Sequence, residues 1–181
     1  MTDNNIPQYE VAVIGAGPGG IAAGAKLKTA GIDDIIIFER ADDVGGSWQE
    51  NNYPGIAVDV PSTTYQYSFA RNPHWSRFFA YGAEVQQYHA NVARQYGLYE
   101  NIRFNCNVER EVWNDGGQFW ALHLDDGSVV TARFVISAIG AFVRPKADIG
   151  IPGAGSFAGK IQRPTSWDHD FDMRGKAGIK R

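Results

Sequence analysis

The sequence is poor in cysteine, in long apolar runs and in excess positive charge. Its 181 residues include one cysteine, Cys106, which excludes internal disulfides and cysteine-rich metal sites and indicates a reducing compartment. Lys and Arg number 17 against 20 Asp and Glu, so the net charge is −3 and argues against nucleic-acid binding. The N-terminal residues lack the pattern of a secretory leader, and no apolar run approaches the roughly 18 residues that cross a bilayer. We therefore expect a cytoplasmic protein without a membrane span.

Glycine, in contrast, is abundant. The chain has 21 glycines, while hydrophobic residues make up 44% and charged residues 20%, which are ordinary globular values and argue against disorder. Many of the glycines occur in clusters, where a backbone must approach something closely. The length indicates one domain, or one domain plus part of a second.

The first cluster of glycines lies between a strand and a helix. Val11–Ile14 is a short apolar run typical of a buried parallel strand. A helix is expected over 21–30, and Gly31 is expected to end it. Ile35–Phe38 has the character of a second buried strand. Together these segments predict a βαβ unit with a right-handed crossover.

Within this unit, Gly15, Gly17 and Gly20 satisfy the pattern G-x-G-x-x-G. In such turns the first glycine makes the tight turn, the second admits a diphosphate close to the backbone, and the third lets the helix lie close to the strand. The helix then directs its free N–H groups and the positive end of its dipole at the phosphates.

An acidic residue ends the second strand. Glu39 lies 19 residues beyond Gly20, where a carboxylate that binds a ribose is expected. A carboxylate there favours a free 2′-hydroxyl, as in FAD or NAD, and repels the 2′-phosphate of NADP. The alternative is a βαβ turn without a ligand and an incidental acid. The candidate dinucleotide-binding residues of the unit are Gly15, Gly17, Pro18, Gly19, Gly20, Glu39 and Arg40.

Less regular segments follow. Residues 41–82 show little periodicity, but their many aromatic side chains favour a functional loop over disorder. A helix is expected over 83–96, ending at Gly97, and a short strand over 103–106. Alternation over 119–124, a turn at 125–128 and an apolar run at 134–139 predict a hairpin whose return strand lies centrally in a sheet. The fold class predicted is α/β, a Rossmann-type parallel sheet with helices and an inserted β-meander.

Residues 45–69, GGSWQENNYPGIAVDVPSTTYQYSF, carry a more specific pattern. This stretch closely resembles the flavin-side signature of the class B flavoprotein monooxygenases, particularly Baeyer–Villiger monooxygenases and the related flavin-containing monooxygenases. In that family G-G-[TS]-W is followed by Y-P-G, an Asp and S-x-x-Y-x-x-S-F. The matching residues here are Gly45, Gly46, Ser47, Trp48, Tyr53, Pro54, Gly55, Asp59, Ser62, Tyr65, Ser68 and Phe69.

The resemblance implies FAD as the bound dinucleotide. We expect the ribityl chain and isoalloxazine to lie along Gly46, Ser47, Trp48, Asp59 and Tyr65, and the adenine to lie near the backbone of Val108. A Gly-Gly pair lets the backbone pass close to a flat ring, and an aromatic side chain can wall it. The alternative is a loop whose aromatic residues only fill a core. Disulfide reductases that bind dinucleotides are excluded because no cysteine pair follows Gly45-Gly46.

The C-terminal part continues the resemblance. The segment from Ile136 to Gly140, followed by Pro145, is similar to the strand and turn that close the family's flavin domain. Residues 157–168 resemble the Baeyer–Villiger fingerprint F-x-G-x-x-x-H-x-x-x-W-[PD]. Its fixed positions fall on Phe157, Gly159, Arg163, Trp167 and Asp168, with arginine in place of the histidine. An arginine keeps a donor and a fixed charge but neither titrates nor accepts a hydrogen bond.

The resemblance also implies a division of the chain. We expect an FAD-binding domain over 1–150 that lacks the family's C-terminal return segment, and a linker over 151–181 that leads toward an NADP-binding domain not contained in the sequence. The family's active-site arginine has no counterpart, so no catalytic residue is assigned. The acidic turn at 168–172 is interpreted as solvated surface and no metal is expected.

For the full-length family, the resemblance implies that NADPH reduces FAD and that one atom of O₂ is transferred to a small molecule. A ketone would give an ester or lactone, and a soft nitrogen or sulfur would give an oxide. This chain alone is expected to be inactive. The alternative function is a non-catalytic remnant that binds FAD weakly or not at all.

Overall fold

In the computed structural model, which describes residues 6–141 and 150–176, the N-terminal elements form the βαβ unit expected from the sequence. Strand β1 spans Tyr9–Ile14, helix α1 spans Pro18–Thr29, and strand β2 spans Ile35–Phe38. β1 and β2 are parallel. α1 begins three residues before the expected start because proline suits the first position of a helix, where its fixed φ is favourable and no N–H is needed.

Four further strands complete a six-stranded sheet. They are β3 (Ile102–Arg103), β4 (Val108–Asn114), β5 (Phe119–Leu124) and β6 (Val129–Ser137). The strand order is β3-β2-β1-β6-β5-β4. β3 and β6 run parallel to β2 and β1, whereas β4, β5 and β6 form an antiparallel meander. The predicted Rossmann-type α/β fold is therefore confirmed, and its meander is continuous with the parallel sheet through β6.

The strand expected over 103–106 is wrong in its extent, because β3 ends at Arg103. Asn105 has φ +52°, a left-handed conformation that interrupts an extended run. The segment nevertheless stays beside the sheet, since the Cys106 N–H donates to the Glu39 carbonyl oxygen over 3.0 Å.

Two more helices lie outside the sheet. α2 is a single turn, Ser47–Glu50, and α3 spans Gly82–Gln95. The expected apolar stripe of α3 is buried at Val85, Tyr88 and Val92. α3 packs over the same face of the sheet as α1, and the second face is covered by residues of the meander. The two clusters that result are centred on Val13, Ile21, Ile37, Val92 and Leu98, and on Ala12, Ile14, Phe38, Leu122 and Leu124.

The apolar end of β6 differs from its expected environment. β6 does lie centrally in the strand order, but Phe134 is 56% exposed and Ile136 36%. Both side chains are therefore partly open to solvent.

Pro145, in the turn expected after β6, lies outside the described residues, and the domain boundary at 150 stays a prediction. No helix in the described part of the chain is long and apolar enough to cross a membrane.

Candidate dinucleotide site

The turn after β1 leaves no room for a side chain at Gly15 or at Gly20. Gly15 has φ +97°, and a Cβ there would stand 2.6 Å from the carbonyl oxygen of Ala138. A Cβ on Gly20 would collide with the carbonyl oxygen of Gly15. The geometry agrees with a tight turn at Gly15 and a close approach of helix to strand at Gly20. The geometry also shows a second reason for glycine at position 15, which the motif alone does not indicate: the backbone that follows β6, at Ala138, lies against it.

The N-terminus of α1 presents free donors. No side chain caps the helix, and its first turn contains no acidic residue. Gly19 is exposed, and within the described residues no backbone acceptor meets the N–H of Gly19 or Gly20. Such a helix end suits an anion.

Glu39 points at this turn. Its side chain is 5% exposed, and its carboxylate accepts hydrogen bonds from the Ala16 N–H at 2.7 Å and the Ala41 N–H at 2.8 Å. A carboxylate has about four acceptor sites, so two remain for the hydroxyls of a ribose. Arg40, by contrast, donates to the Glu50 carboxylate at 2.6 Å and so ties the end of β2 to α2.

The Gly45-Gly46 pair packs on the phosphate turn. The Gly45 N–H donates to the Ala16 carbonyl oxygen over 3.0 Å. Gly46 has φ +54°, and a Cβ there would lie 2.9 Å from the Cα of Gly17. In this structure the two glycines therefore allow the loop backbone to lie close to the backbone of Gly17.

A cleft of about 450 Å³ opens beside the start of α1, a size typical of small-molecule sites. Trp48 and Tyr65 form part of its wall. The Trp48 Nε1–H donates to the Tyr65 hydroxyl oxygen over 3.1 Å, and the rings meet edge to face with centroids 5.5 Å apart. The cleft is lined by Pro18, Ser47, Trp48, Asn51, Tyr53, Ile56, Ala57, Tyr65, Pro164 and Thr165.

Two predicted site residues lie elsewhere. Asp59 is exposed and does not line the cleft, although Val58 beside it is buried in the cluster that Trp48 and Tyr65 join. Val108 begins β4 and packs on the cluster that contains Phe38, at the end of β2. The roles assigned to Asp59 and Val108 stay predictions.

The middle of the fingerprint segment, at Pro164 and Thr165, lines the cleft. The Asn52 N–H donates to the Pro164 carbonyl oxygen at 3.4 Å, and Arg163 and Ser166 form an isolated β-bridge. Lys160 binds Asp168 at 2.7 Å and holds the pKa of that carboxyl below its usual value. Phe157 is exposed, and Trp167 is half-buried.

The acidic turn at 168–172 provides no metal site in this structure. Over the described ranges, no group of three or more His, Cys, Asp or Glu side chains is placed to hold an ion.

Sequence reasoning missed several residues of the cleft. Tyr53 belongs to the motif and could have been assigned from it, whereas Asn51 and Ile56 lie between motif positions. No sequence pattern marks Pro164 and Thr165 as cleft residues, because their position in the same cleft as Trp48 depends on the path that the chain takes after residue 150.

Comparison with known proteins agrees with this geometry. Residues 13–81 match the model of a family described as an NAD(P)-binding Rossmann-like domain. A Baeyer–Villiger monooxygenase of Streptomyces coelicolor is 42% identical over 166 residues, which cover 92% of this chain and 32% of that protein. One of Pseudomonas aeruginosa is 38% identical over 167 residues, again 92% of this chain and 32% of the relative.

Solved structures show the same partial coverage. The crystal structure of OTEMO in complex with FAD and NADP superposes with a TM-score of 0.79 at 32% identity, over 91% of this chain and 31% of that one. The chain thus spans about a third of the length of the relatives it matches. The resemblance in the motifs is confirmed, and over nearly its whole length this chain corresponds to the N-terminal region of the class B flavoprotein monooxygenases of the Baeyer–Villiger type.

Proposed function

We propose that this chain binds FAD, with the diphosphate at the N-terminus of α1 and the isoalloxazine in the neighbouring cleft. One observation supports this more than any other. Pro18 is the first residue of α1 and also lines the cleft, together with Trp48 and Thr165. The anion site and the ring site are therefore neighbours, as the diphosphate and the isoalloxazine of FAD must be, since only the ribityl chain separates them.

The residues of the chain fit the parts of FAD. The free N–H groups of Gly19 and Gly20 suit the diphosphate, and the remaining acceptor sites of Glu39 suit the ribose hydroxyls. NAD would satisfy these contacts as well. The aromatic side chains of Trp48 and Tyr65 favour a flavin, because they add apolar ring surface to the cleft that Pro18 also lines.

We further propose that the whole protein is a monooxygenase that uses NADPH and O₂. FAD supplies the chemistry by which one oxygen atom reaches a ketone, or a nitrogen or sulfur centre. The part of this chain is to hold the cofactor and to exclude water from one side of its ring, through Trp48, Tyr65 and Ile56. The S. coelicolor and P. aeruginosa relatives, both named Baeyer–Villiger monooxygenases, support the ketone reaction.

Arg163 supports the second candidate, a chain that binds FAD without turnover. It stands where the fingerprint has histidine, and an arginine side chain donates hydrogen bonds but, unlike histidine, accepts none.

Absorbance titration of the purified, folded chain with FAD tests the proposal. We expect a protein-bound flavin spectrum that ADP suppresses by competition. A chain that is folded by circular dichroism and stays colourless in excess FAD would contradict the proposal. NADPH oxidation by the whole protein is then measured with and without a ketone, because this chain alone is expected to be inactive. Consumption stimulated by ketone supports catalysis, and bound flavin without consumption supports the second candidate.

A further inference from the structure

Tyr67 lies outside both parts of the candidate site, yet its hydroxyl reaches the start of α1. The Tyr67 hydroxyl donates to the Pro18 carbonyl oxygen over 2.6 Å, a short and well-formed hydrogen bond. A carbonyl oxygen has two lone pairs, so Pro18 can accept this bond in addition to the bond of the helix. The contact joins the aperiodic segment before α3 to the helix end that faces the cleft.

The position of Tyr67 is fixed from several sides. Its N–H donates to the Tyr88 hydroxyl oxygen at 2.7 Å, and that hydroxyl donates to the Ala70 carbonyl oxygen at 2.8 Å. Its ring stacks on Phe69 at a centroid distance of 4.9 Å and meets His89 edge to face at 5.5 Å. Burial raises the pKa of the Tyr67 phenol, so the hydroxyl keeps its proton and remains a donor.

The hydrogen bond has a consequence for the next N–H group. The carbonyl of Pro18 and the N–H of Gly19 belong to one planar trans peptide and point in opposite directions. A donor that holds the carbonyl therefore also holds the N–H. Gly19 is an exposed residue, and its N–H lacks an acceptor among the described residues.

We propose that Tyr67 is a positioning residue for the cofactor diphosphate, because its hydroxyl fixes the Pro18–Gly19 peptide so that the Gly19 N–H points out of the helix end. The inference rests on the proposed binding of FAD. It assigns a role in anion binding to a side chain that does not itself line the cleft and reaches it only through the Pro18 carbonyl.

The test compares Tyr67→Phe with Tyr96→Phe. Tyr96 belongs to the same aromatic group, but its hydroxyl donates to the Phe69 carbonyl oxygen at 3.4 Å, and no hydrogen bond from it to α1 is found among the described residues. Affinity is measured for FAD and ADP, which contain a diphosphate, and for riboflavin, which does not. We expect Tyr67→Phe to weaken FAD and ADP about tenfold, equivalent to ~1.4 kcal/mol, and to leave riboflavin unchanged. Tyr96→Phe should change none of the three.

A spectroscopic measurement separates positioning from general loosening. The ³¹P resonances of bound ADP should shift in Tyr67→Phe and not in Tyr96→Phe. An equal loss of affinity for all three ligands, or no loss at all, would overturn the role of Tyr67 while leaving the proposed function intact.

If the wild-type chain binds neither FAD nor ADP, the proposed function falls and this inference with it. If Tyr67→Phe does not fold, Tyr88→Phe takes its place, because it removes the hydroxyl that holds the Tyr67 backbone. The same selective loss, smaller in size, is then expected, and its absence would refute the inference.

Discussion

The backbones of Gly17 and Gly46 lie in contact, so that the phosphate turn and the loop before α2 form one packed unit. A Cβ on Gly46 would stand 2.9 Å from the Cα of Gly17, and one on Gly17 would stand 3.4 Å from the Cα of Gly46. The hydrogen bond from Gly45 to Ala16 closes the same junction. The two halves of the candidate site are thus joined through backbone atoms.

Gly46→Ala should disrupt this junction. The substitution adds a side chain at a positive φ and within collision distance of Gly17, so we expect the free energy of unfolding to fall by about 2–4 kcal/mol and FAD binding to weaken. Gly55→Ala is the matched control, because Gly55 has φ +79° with nothing within 4 Å of its Cβ position. Its cost should be about 1 kcal/mol. Equal costs in urea denaturation would refute the contact.

Glu39→Gln should impair both stability and ADP binding. A glutamine amide has one acceptor oxygen, so either the Ala16 or the Ala41 N–H would face an NH₂ group. We expect a loss of about 1–3 kcal/mol in the free energy of unfolding and weaker ADP binding by titration. Glu100→Gln, at the exposed position of the 3₁₀ turn Leu98–Asn101, should stay within about 0.5 kcal/mol of wild type. ADP binding that survives Glu39→Gln unchanged would remove Glu39 from the site.

Trp48→Phe should weaken ligands that contain the flavin ring and spare ADP. The smaller ring reduces the cleft wall and loses the hydrogen bond to Tyr65, so FAD and riboflavin should lose about 0.5–1.5 kcal/mol of affinity. Trp113→Phe, on the exposed strand β4, serves as the control and should have no effect. If ADP loses as much affinity as FAD, Trp48 does not belong to the ring site.

His89 should make stability depend on pH below neutrality. The ring is 2% exposed, its Nδ1 lies 2.8 Å from the Val85 carbonyl oxygen, and burial lowers its pKa to about 4 from 6.5. Between these values the unfolded chain binds a proton that the native chain does not, so stability falls as the pH drops from 6.5 to 4, by roughly 3 kcal/mol in all.

The measurement is urea denaturation at several pH values. His89→Gln should flatten the dependence over this range, whatever its effect on absolute stability. His74→Gln changes an exposed histidine and should keep the wild-type slope. A slope unchanged by His89→Gln would assign the effect to other groups.

Features with a local cause could be predicted from the sequence. β2 has the expected bounds, Ile35–Phe38, because a short apolar run between polar residues leaves little choice. α3 ends at Gln95, one residue before the expected end, and Gly97 follows with φ +65°. The phosphate turn could be predicted because each glycine of its motif answers a local steric demand, and the class of the fold followed from it.

Features that depend on tertiary contacts could not be predicted. The contact of Gly46 with Gly17 and that of Tyr67 with Pro18 join distant positions, and residues 41–81 have no period that would indicate which side chain faces the helix. The early end of β3 depends on the left-handed conformation of Asn105, which no pattern in the sequence predicts. The exposure of Phe134 depends on what packs against β6, and that is not a property of the strand itself.

β6 connects the phosphate turn to the hairpin that β5 and β6 form. The first half of this strand pairs with β5 and its second half with β1, and directly beyond it the Ala138 N–H donates to the Ile14 carbonyl oxygen at 2.8 Å. A side chain on Gly15 would collide with the Ala138 carbonyl oxygen, so the phosphate turn and the end of β6 pack backbone against backbone. The phosphate turn is therefore coupled to the meander through β6, and a substitution that shifts one of them is expected to shift the other.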